Sequence, residues 1–336
     1  MSGYQKLSLL TLFWCFCVVV IGAYVRLSDA GLGCPDWPGC YGHLTAPQAQ
    51  ADVLTAQQRF PERPVEAHKA WKEMVHRYLA GGLGLLILAL SILGFRQPSP
   101  RPPRWLLLGL PALVVFQAIL GMWTVTWQLK PAVVTAHLLG GMATLALLAL
   151  LNLRLWLRRI QPPRLLSAAR RCRMLAMLAL CVLIAQIFLG GWTSTNYAAL
   201  ACPDLPTCQG QWVPETDFSE AFTLWRGLGI NYEFGVLDNR ARVTIHWMHR
   251  LGAVVVSAMM ILLGLVLLRS SRNLLRVCGA LVLGALAMQI SIGLLVVYLQ
   301  LPLLLAAAHN AGAAMLLLAV IAANVAITHQ PLRAAA

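Results

Sequence analysis

Apolar residues fall in eight blocks, each long enough to cross roughly 30 Å of hydrocarbon at about 1.5 Å per helical residue. The blocks lie at 8–26, 71–95, 104–127, 132–153, 173–194, 242–268, 274–298 and 302–327. Polar residues collect between them, in short connections on one side and in two long loops on the other. Eight crossings return the chain to the side it started from, so both termini share a side. The pattern predicts an all-α integral membrane protein of eight transmembrane helices.

Composition agrees. Of 336 residues 59% are hydrophobic and 11% charged, too little polar surface to cover a soluble globule. The formal charge of +14 is placed unevenly. Arg96, Arg101 and Arg104 fill one short connection, Arg154, Arg158, Arg159, Arg164, Arg170, Arg171 and Arg173 the next, and Arg269, Arg272 and Arg276 the third, with no acid among them. All twelve Asp and Glu residues lie in the two long loops or just inside the helices that follow. By the positive-inside rule the arginine side is cytoplasmic, with both termini, and the protein is a multi-pass protein of the inner (plasma) membrane. The basic charge is then membrane-surface charge facing lipid, not a nucleic-acid footprint. The first block follows Lys6 as in a signal peptide, but no small-residue cleavage pattern follows it, so it is expected to remain as a span.

The two halves repeat. Cys34-Pro-Asp-Trp-Pro-Gly-Cys40-Tyr-Gly42 recurs as Cys202-Pro-Asp-Leu-Pro-Thr-Cys208-Gln-Gly210 at an offset of 168. Ile21-Gly22 lies opposite Leu189-Gly190 at that offset, and Gln117-Ala-Ile-Leu-Gly121 matches Gln289-Ile-Ser-Ile-Gly293 at 172. His76-Arg77 matches His249-Arg250, and His137 matches His309. A four-helix unit re-enters the membrane in the same orientation, so the copies should be related by an axis along the membrane normal. The expectation is two pseudo-symmetric four-helix bundles, residues 1–160 and 161–336, joined by the Arg- and Pro-containing stretch around 154–172.

Five of the nine cysteines, Cys15, Cys17, Cys172, Cys181 and Cys278, fall in or at the ends of the blocks, where a small buried thiol needs no special role. Cys34 with Cys40, and Cys202 with Cys208, sit in loops that the charge asymmetry puts on the oxidising outer face. Each pair suits a disulfide-closed hairpin, worth about 2 kcal/mol for so short a ring. A redox-active pair is the competing reading, and a zinc site formed by four thiols is a third.

His43 and His68 read as residues of the first outer loop and His329 as one of the tail. His76, His137, His246, His249 and His309 lie in the second, fourth, sixth and eighth blocks. His76, His137, His249 and His309 sit six or seven residues past the outer boundary of their blocks, a common depth of roughly 9 to 11 Å. A lone histidine in a helix is usually a hydrogen-bonded core residue. Four at matched depth, paired by the repeat, fit axial ligands on either side of a flat iron macrocycle. A proton relay is the rival and does not require the pairing. Glu73, His76 and Arg77 share a helical face, as do His246, His249 and Arg250. The arginines can reach toward the outer surface and pair with haem propionates. Glu73 stands where His246 stands, so either the two sites do different work or Glu73 only caps or solvates its helix entrance.

Together Gly31-Leu-Gly-Cys-Pro-Asp-Trp-Pro38, Glu73-Met-Val-His-Arg77, His137, His246-Trp-Met-His-Arg250 and His309 resemble the haem A synthase family over nearly the whole chain. The resemblance implies a membrane oxidoreductase that oxidises a methyl group of haem O to formyl, giving haem A for terminal oxidase assembly. It implies a substrate haem between His76 and His137 beside Arg77, assisted by Glu73. It implies a permanent haem b on His249 and His309 beside Arg250, and disulfides at Cys34–Cys40 and Cys202–Cys208. Partners would be haem O synthase and either an electron-transfer protein or the quinone pool, since no flavin motif, nucleotide loop or soluble donor domain is apparent. A homo-oligomer is left open. The alternatives are a di-haem b-type membrane electron-transfer protein, in which both haems stay unchanged, and a haem exporter or chaperone, which releases haem unmodified.

Overall fold

The computed structural model describes residues 1–97, 102–157 and 167–328. Arg101, Arg158, Arg159, Arg164, His329 and the boundary between residues 160 and 161 lie outside these. Among the described residues eight helices are long and apolar enough to cross a membrane. They are α1 (Gly3–Leu27), α3 (Ala67–Phe95), α4 (Arg104–Thr126), α5 (Pro131–Leu157), α6 (Ser167–Thr195), α8 (Asn239–Leu268), α9 (Asn273–Tyr298) and α10 (Leu303–Thr328). Two short helices, α2 (Gln50–Arg59) and α7 (Phe218–Ala221), lie in the long loops. The chain is a multi-pass membrane protein.

Each predicted block is one long helix, but several begin earlier than the apolar pattern. Helix α1 starts on a capping box, in which Ser2 Oγ accepts from the Gln5 N–H at 3.2 Å and Gln5 Oε1 accepts from the Ser2 N–H at 2.9 Å. Helix α8 starts at Asp238, whose Oδ1 accepts from the Ala241 N–H at 2.8 Å. Helix α3 gains a polar first turn that contains His68, so this residue is helical and not in the loop as the sequence suggested.

Packing repeats between the halves. Helix α1 packs on α3, α3 on α4, α4 on α5, and α5 back on α1; α6, α8, α9 and α10 close the same ring. Helix α10 meets α1 and α5, and α5 meets α6, so α5 and α10 lie at the junction and are the most enclosed spans. One apolar core runs through all eight. Outward side chains such as Phe13, Leu85, Leu108 and Val254 are exposed, as lipid-facing positions should be. The polar bonds inside the core repeat as well. Asn152 Nδ2 donates across to the Ser8 carbonyl at 3.1 Å, and Asn324 Nδ2 to the Ala176 carbonyl at 3.1 Å. Such interhelical bonds are worth about 0.6 to 2 kcal/mol each in lipid.

On the loop side the halves are also laced together. Arg63 pairs with Glu233 at 2.8 Å, and the Tyr232 N–H donates to the Gln128 carbonyl at 3.0 Å. Lys130, only 1% exposed, donates to the Gly227 carbonyl and lies over the Trp225 ring. The second long loop thus reaches back over the first half.

Candidate functional site

The two cysteine loops have one construction. Tyr41 and Gly42 adopt φ of 54° and 77°, and Gln209 and Gly210 adopt 54° and 76°. These left-handed pairs make a two-residue reversal, for which glycine is the least strained second residue. The turn is closed by Cys40 N–H to His43 carbonyl at 2.8 Å, and in the second half by Cys208 N–H to Gln211 carbonyl at 2.9 Å. Asp36 accepts from the Tyr41 and Gly42 N–H groups at 2.6 and 2.8 Å, and Asp204 from those of Gln209 and Gly210 at 2.6 and 3.0 Å. Disulfides join Cys34 to Cys40 and Cys202 to Cys208. All four sulfurs belong to buried residues. The structure has two separate bridges and not four thiols brought together. Among the described residues no three His, Cys, Asp or Glu side chains converge as a metal site.

Each loop rests on a helix beneath it through the residue that differs between the copies. Glu73, 5% exposed, accepts from the Cys34 N–H at 2.8 Å through Oε2 and from Arg77 at 2.5 Å through Oε1. At the matching place His246, 4% exposed, lies 3.2 Å from the Cys202 N–H through Nδ1 and 3.3 Å from Arg250 Nε through Nε2. A carboxylate serves both donors at once, whereas a neutral imidazole has one lone-pair nitrogen and serves one. Glu73 therefore does not merely solvate the helix entrance: it is a buried, doubly bonded link between α3 and the disulfide loop. The arginines complete the link. Arg77 donates to the Pro38 carbonyl at 3.2 Å and to the Gly39 carbonyl, and Arg250 donates to the carbonyls of Asp204, Thr207 and Cys202 at 2.8, 2.8 and 2.6 Å. Loop carbonyls hold both guanidiniums in this structure.

One helical turn deeper lie the four paired histidines, His76 on α3, His137 on α5, His249 on α8 and His309 on α10. Each ring faces a glycine of the neighbouring helix. A methyl group added at Gly22, Gly121, Gly190 or Gly293 would stand 2.8, 3.5, 3.2 or 2.8 Å from the Cε1 of His76, His137, His249 or His309. The glycines let the helices close on the imidazoles. The rings of His249 and His309 stand 6.5 Å apart, centre to centre, at 81°. A metal–imidazole bond of about 2 Å on each side, with about 1 Å from nitrogen to ring centre, calls for roughly 6 Å. His76, His137 and His309 each have a buried Nδ1 with no hydrogen-bond partner among the described residues. Buried imidazole nitrogens, with His249 and His309 facing each other, fit axial ligation of a haem.

The structure brings together every site residue the sequence singled out in each half, in the layered order of disulfide loop, then acid or imidazole with arginine, then histidines. It adds residues the sequence did not single out. Gln186 Nε2 donates to the His249 carbonyl at 2.9 Å and lies 3.1 Å from His249 Nδ1, and Gln289 Nε2 lies 3.3 Å from His309 Nε2. Gln289 belongs to a repeated segment and so carried a signal; Gln186 has valine at its counterpart and carried none.

The chain matches the family COX15-CtaA, described as cytochrome oxidase assembly protein, over residues 5–321. It is 46% identical over 321 residues to the Heme A synthase of Shewanella oneidensis, with 96% of each chain covered. It is 28% identical over 323 residues to the Heme A synthase of Sinorhizobium fredii, covering 91% of this chain and 84% of that one. Against the Heme A synthase of Halalkalibacterium halodurans it is 28% identical over 201 residues, covering 59% of this chain and 61% of the other.

Proposed function

The chain belongs to the COX15-CtaA family, the haem A synthases, and from that premise we propose that it binds two haems, one per four-helix unit, and oxidises the haem held in the first. Its activity is haem A synthesis in the membrane, on haem O, for cytochrome oxidase assembly. Residues 1–160 form the substrate unit, with His76 and His137 on either face of haem O. Residues 161–336 form the resident unit, with His249 and His309 holding haem b. Arg77 and Arg250 place positive charge at the loop-side wall of each site, where propionates would lie. The cysteine loops face outward and both termini are cytoplasmic.

The observation that supports unequal sites is the exchange of Glu73 for His246 at otherwise matching positions. His249 and His309 would hold the haem b, which would supply one-electron transfer when bound. The protein's own contribution is position and proton handling. Converting a methyl group to formyl takes two oxidations, each of which puts one hydroxyl from water on the carbon and gives up two electrons and two protons, to the alcohol and then to the hydrated aldehyde, which loses one water. Glu73 lies one helical turn from His76 on the same face of α3, where its carboxylate takes up a leaving proton or steadies positive charge on the reacting carbon. Arg77 and the Cys34 N–H fix both carboxylate oxygens, so the group is aimed before substrate arrives. Haem O synthase as donor of substrate, and an electron-transfer protein or the quinone pool as electron acceptor, complete the proposal.

Single-histidine variants test the division. His249→Ala or His309→Ala should lose the resident haem spectrum. His76→Ala or His137→Ala should keep that spectrum and lose haem A production. Loss of the resident spectrum in the first-half variants, with its retention in the second-half ones, would reverse the assignment.

A further inference from the structure

Of the four paired histidines, His249 alone has a hydrogen-bond partner at Nδ1 among the described residues, and that partner is Gln186 on α6. The contact depends on two positions at once. A Cβ at Gly252 would come 2.2 Å from Gln186 Oε1, so the glutamine lies in the space that this glycine leaves. The same arrangement of a glutamine four residues before the histidine-facing glycine, with a second glycine three residues after the histidine, recurs twice. Gln117 lies against Gly140 beside His137, and Gln289 against Gly312 beside His309. At the fourth histidine both halves of the device are missing. The counterpart of Gln186 is Val18, and the counterpart of Gly252 is Leu79. His76 Nδ1 has no hydrogen-bond partner there among the described residues.

We propose that Gln186 is a positioning residue that clamps His249 as a permanent axial ligand, and that the Val18 and Leu79 pair leaves His76 unclamped as the exchangeable one. This rests on the assignment of His249 and His76 as haem ligands. The physics is that of an outer-shell partner. A ligating imidazole gives one nitrogen to the metal and carries its proton on the other, and a group that accepts that proton fixes the ring and raises its basicity. As packed here the Gln186 amide gives its Nε2 donor to the His249 carbonyl and towards Nδ1, and its Oε1, which has no partner among the described residues, is the acceptor that would turn to the Nδ1 proton of a ligating His249. Held this way, His249 is a stronger donor to the oxidised iron and loses haem slowly. A resident cofactor needs that, and a site that must release product does not. Residence and turnover would be set by His76, the one paired histidine whose helix neighbours lack the glutamine and its glycine.

The test uses the full-length protein with its resident haem, in detergent, reading the midpoint potential by optical titration and the rate of haem loss to excess apomyoglobin. Gln186→Val should lose resident haem about 10- to 100-fold faster, the usual range for removing an outer-shell partner. Its midpoint should rise, by about 59 mV for a tenfold selective weakening of the oxidised state. Gln186→Glu, whose carboxylate is a stronger acceptor, should shift the midpoint the other way, which a merely structural role would not do. In the reciprocal transplant, Val18→Gln with Leu79→Gly should slow release of haem from the first half. A Gln186→Val protein with unchanged loss rate and midpoint overturns the inference. His249→Ala separates the layers: if it keeps the resident spectrum, the ligand assignment itself has failed; if it loses the spectrum while Gln186→Val changes nothing, only the clamp has failed.

Discussion

Glu73 has two jobs in this account, one structural and one chemical, and the repeat supplies the substitution that separates them. Glu73→Ala removes both acceptors at once and leaves the Cys34 N–H and the Arg77 guanidinium without their shared partner. Breaking a buried charge pair by removing one member costs about 3 to 5 kcal/mol. Glu73→His installs the residue that does this job at position 246, where the imidazole meets the Cys202 N–H and Arg250 within 3.3 Å. One lone pair in place of a carboxylate loses one charge-assisted bond, about 1.5 to 3 kcal/mol. The histidine variant should therefore melt between wild type and the alanine variant, with the first disulfide loop in place and the resident haem bound. Its haem A output should nevertheless be abolished, because a group that takes up a proton from the reacting carbon has been replaced by one of different charge. The assay is thermal unfolding in detergent alongside extraction of haem A from cells supplied with haem O. Haem A output at the wild-type level from Glu73→His would remove the carboxylate from the chemistry. Equal stability of the alanine and histidine variants would show that the loop does not rest on this residue.

Other outcomes follow from the same geometry. Denatured without reductant, the protein should present five reactive thiols of its nine cysteines, rising to nine after reduction; nine at the outset would show the outer pairs are not bridged. Asp204 is held down to a pKa of about 2, first by the Thr207 hydroxyl and then by the Gly210 and Gln209 N–H groups. Its folded value lies below the usual carboxylate range, so its contribution to the second loop is complete above about pH 4 and is lost as pH falls toward 2. Reduction of Cys202–Cys208 by a phosphine should be pH-independent from 7 to 5 and accelerate below about 4, and Asp204→Asn should remove that acid step. Gly293→Ala sets a methyl group 2.8 Å from His309 Cε1, an overpacking that costs about 1 to 3 kcal/mol. Absorbance of the resident haem per protein should fall in that variant, and unchanged occupancy would show that the glycine does not set the ring.

The eight spans were legible because hydropathy over twenty residues is a long-range average that local detail does not disturb. What it could not see were polar first turns: His68 and Lys69 are helical in α3 but contribute nothing apolar, so His68 read as loop. The paired histidines and cysteine loops were legible through repetition, since a residue kept at one offset from its copy marks a shared task. Repetition did not say which task. Asp36 and Gly42 recur with the cysteines, yet only the folded loop shows that the carboxylate caps the turn and the glycine supplies its left-handed residue. That loop carbonyls hold the arginines was not legible, because a helical face says which way a side chain leaves, not which carbonyl meets it; Pro38, Gly39, Asp204 and Thr207 come from loops some forty residues away in sequence. Gln186 was invisible for the opposite reason. Its counterpart is Val18, its space comes from Gly252 on another helix, and neither fact shows until the helices are packed.

If one of two bound haems is changed and the other is not, pigment extracted from purified protein after expression with a haem O source, and weighed by mass spectrometry, should contain haem b together with haem A. The haem A should be absent from Glu73→Ala and the haem b from His249→Ala. Extracts containing haem b alone, unchanged on turnover, would contradict that expectation and identify a di-haem electron carrier instead.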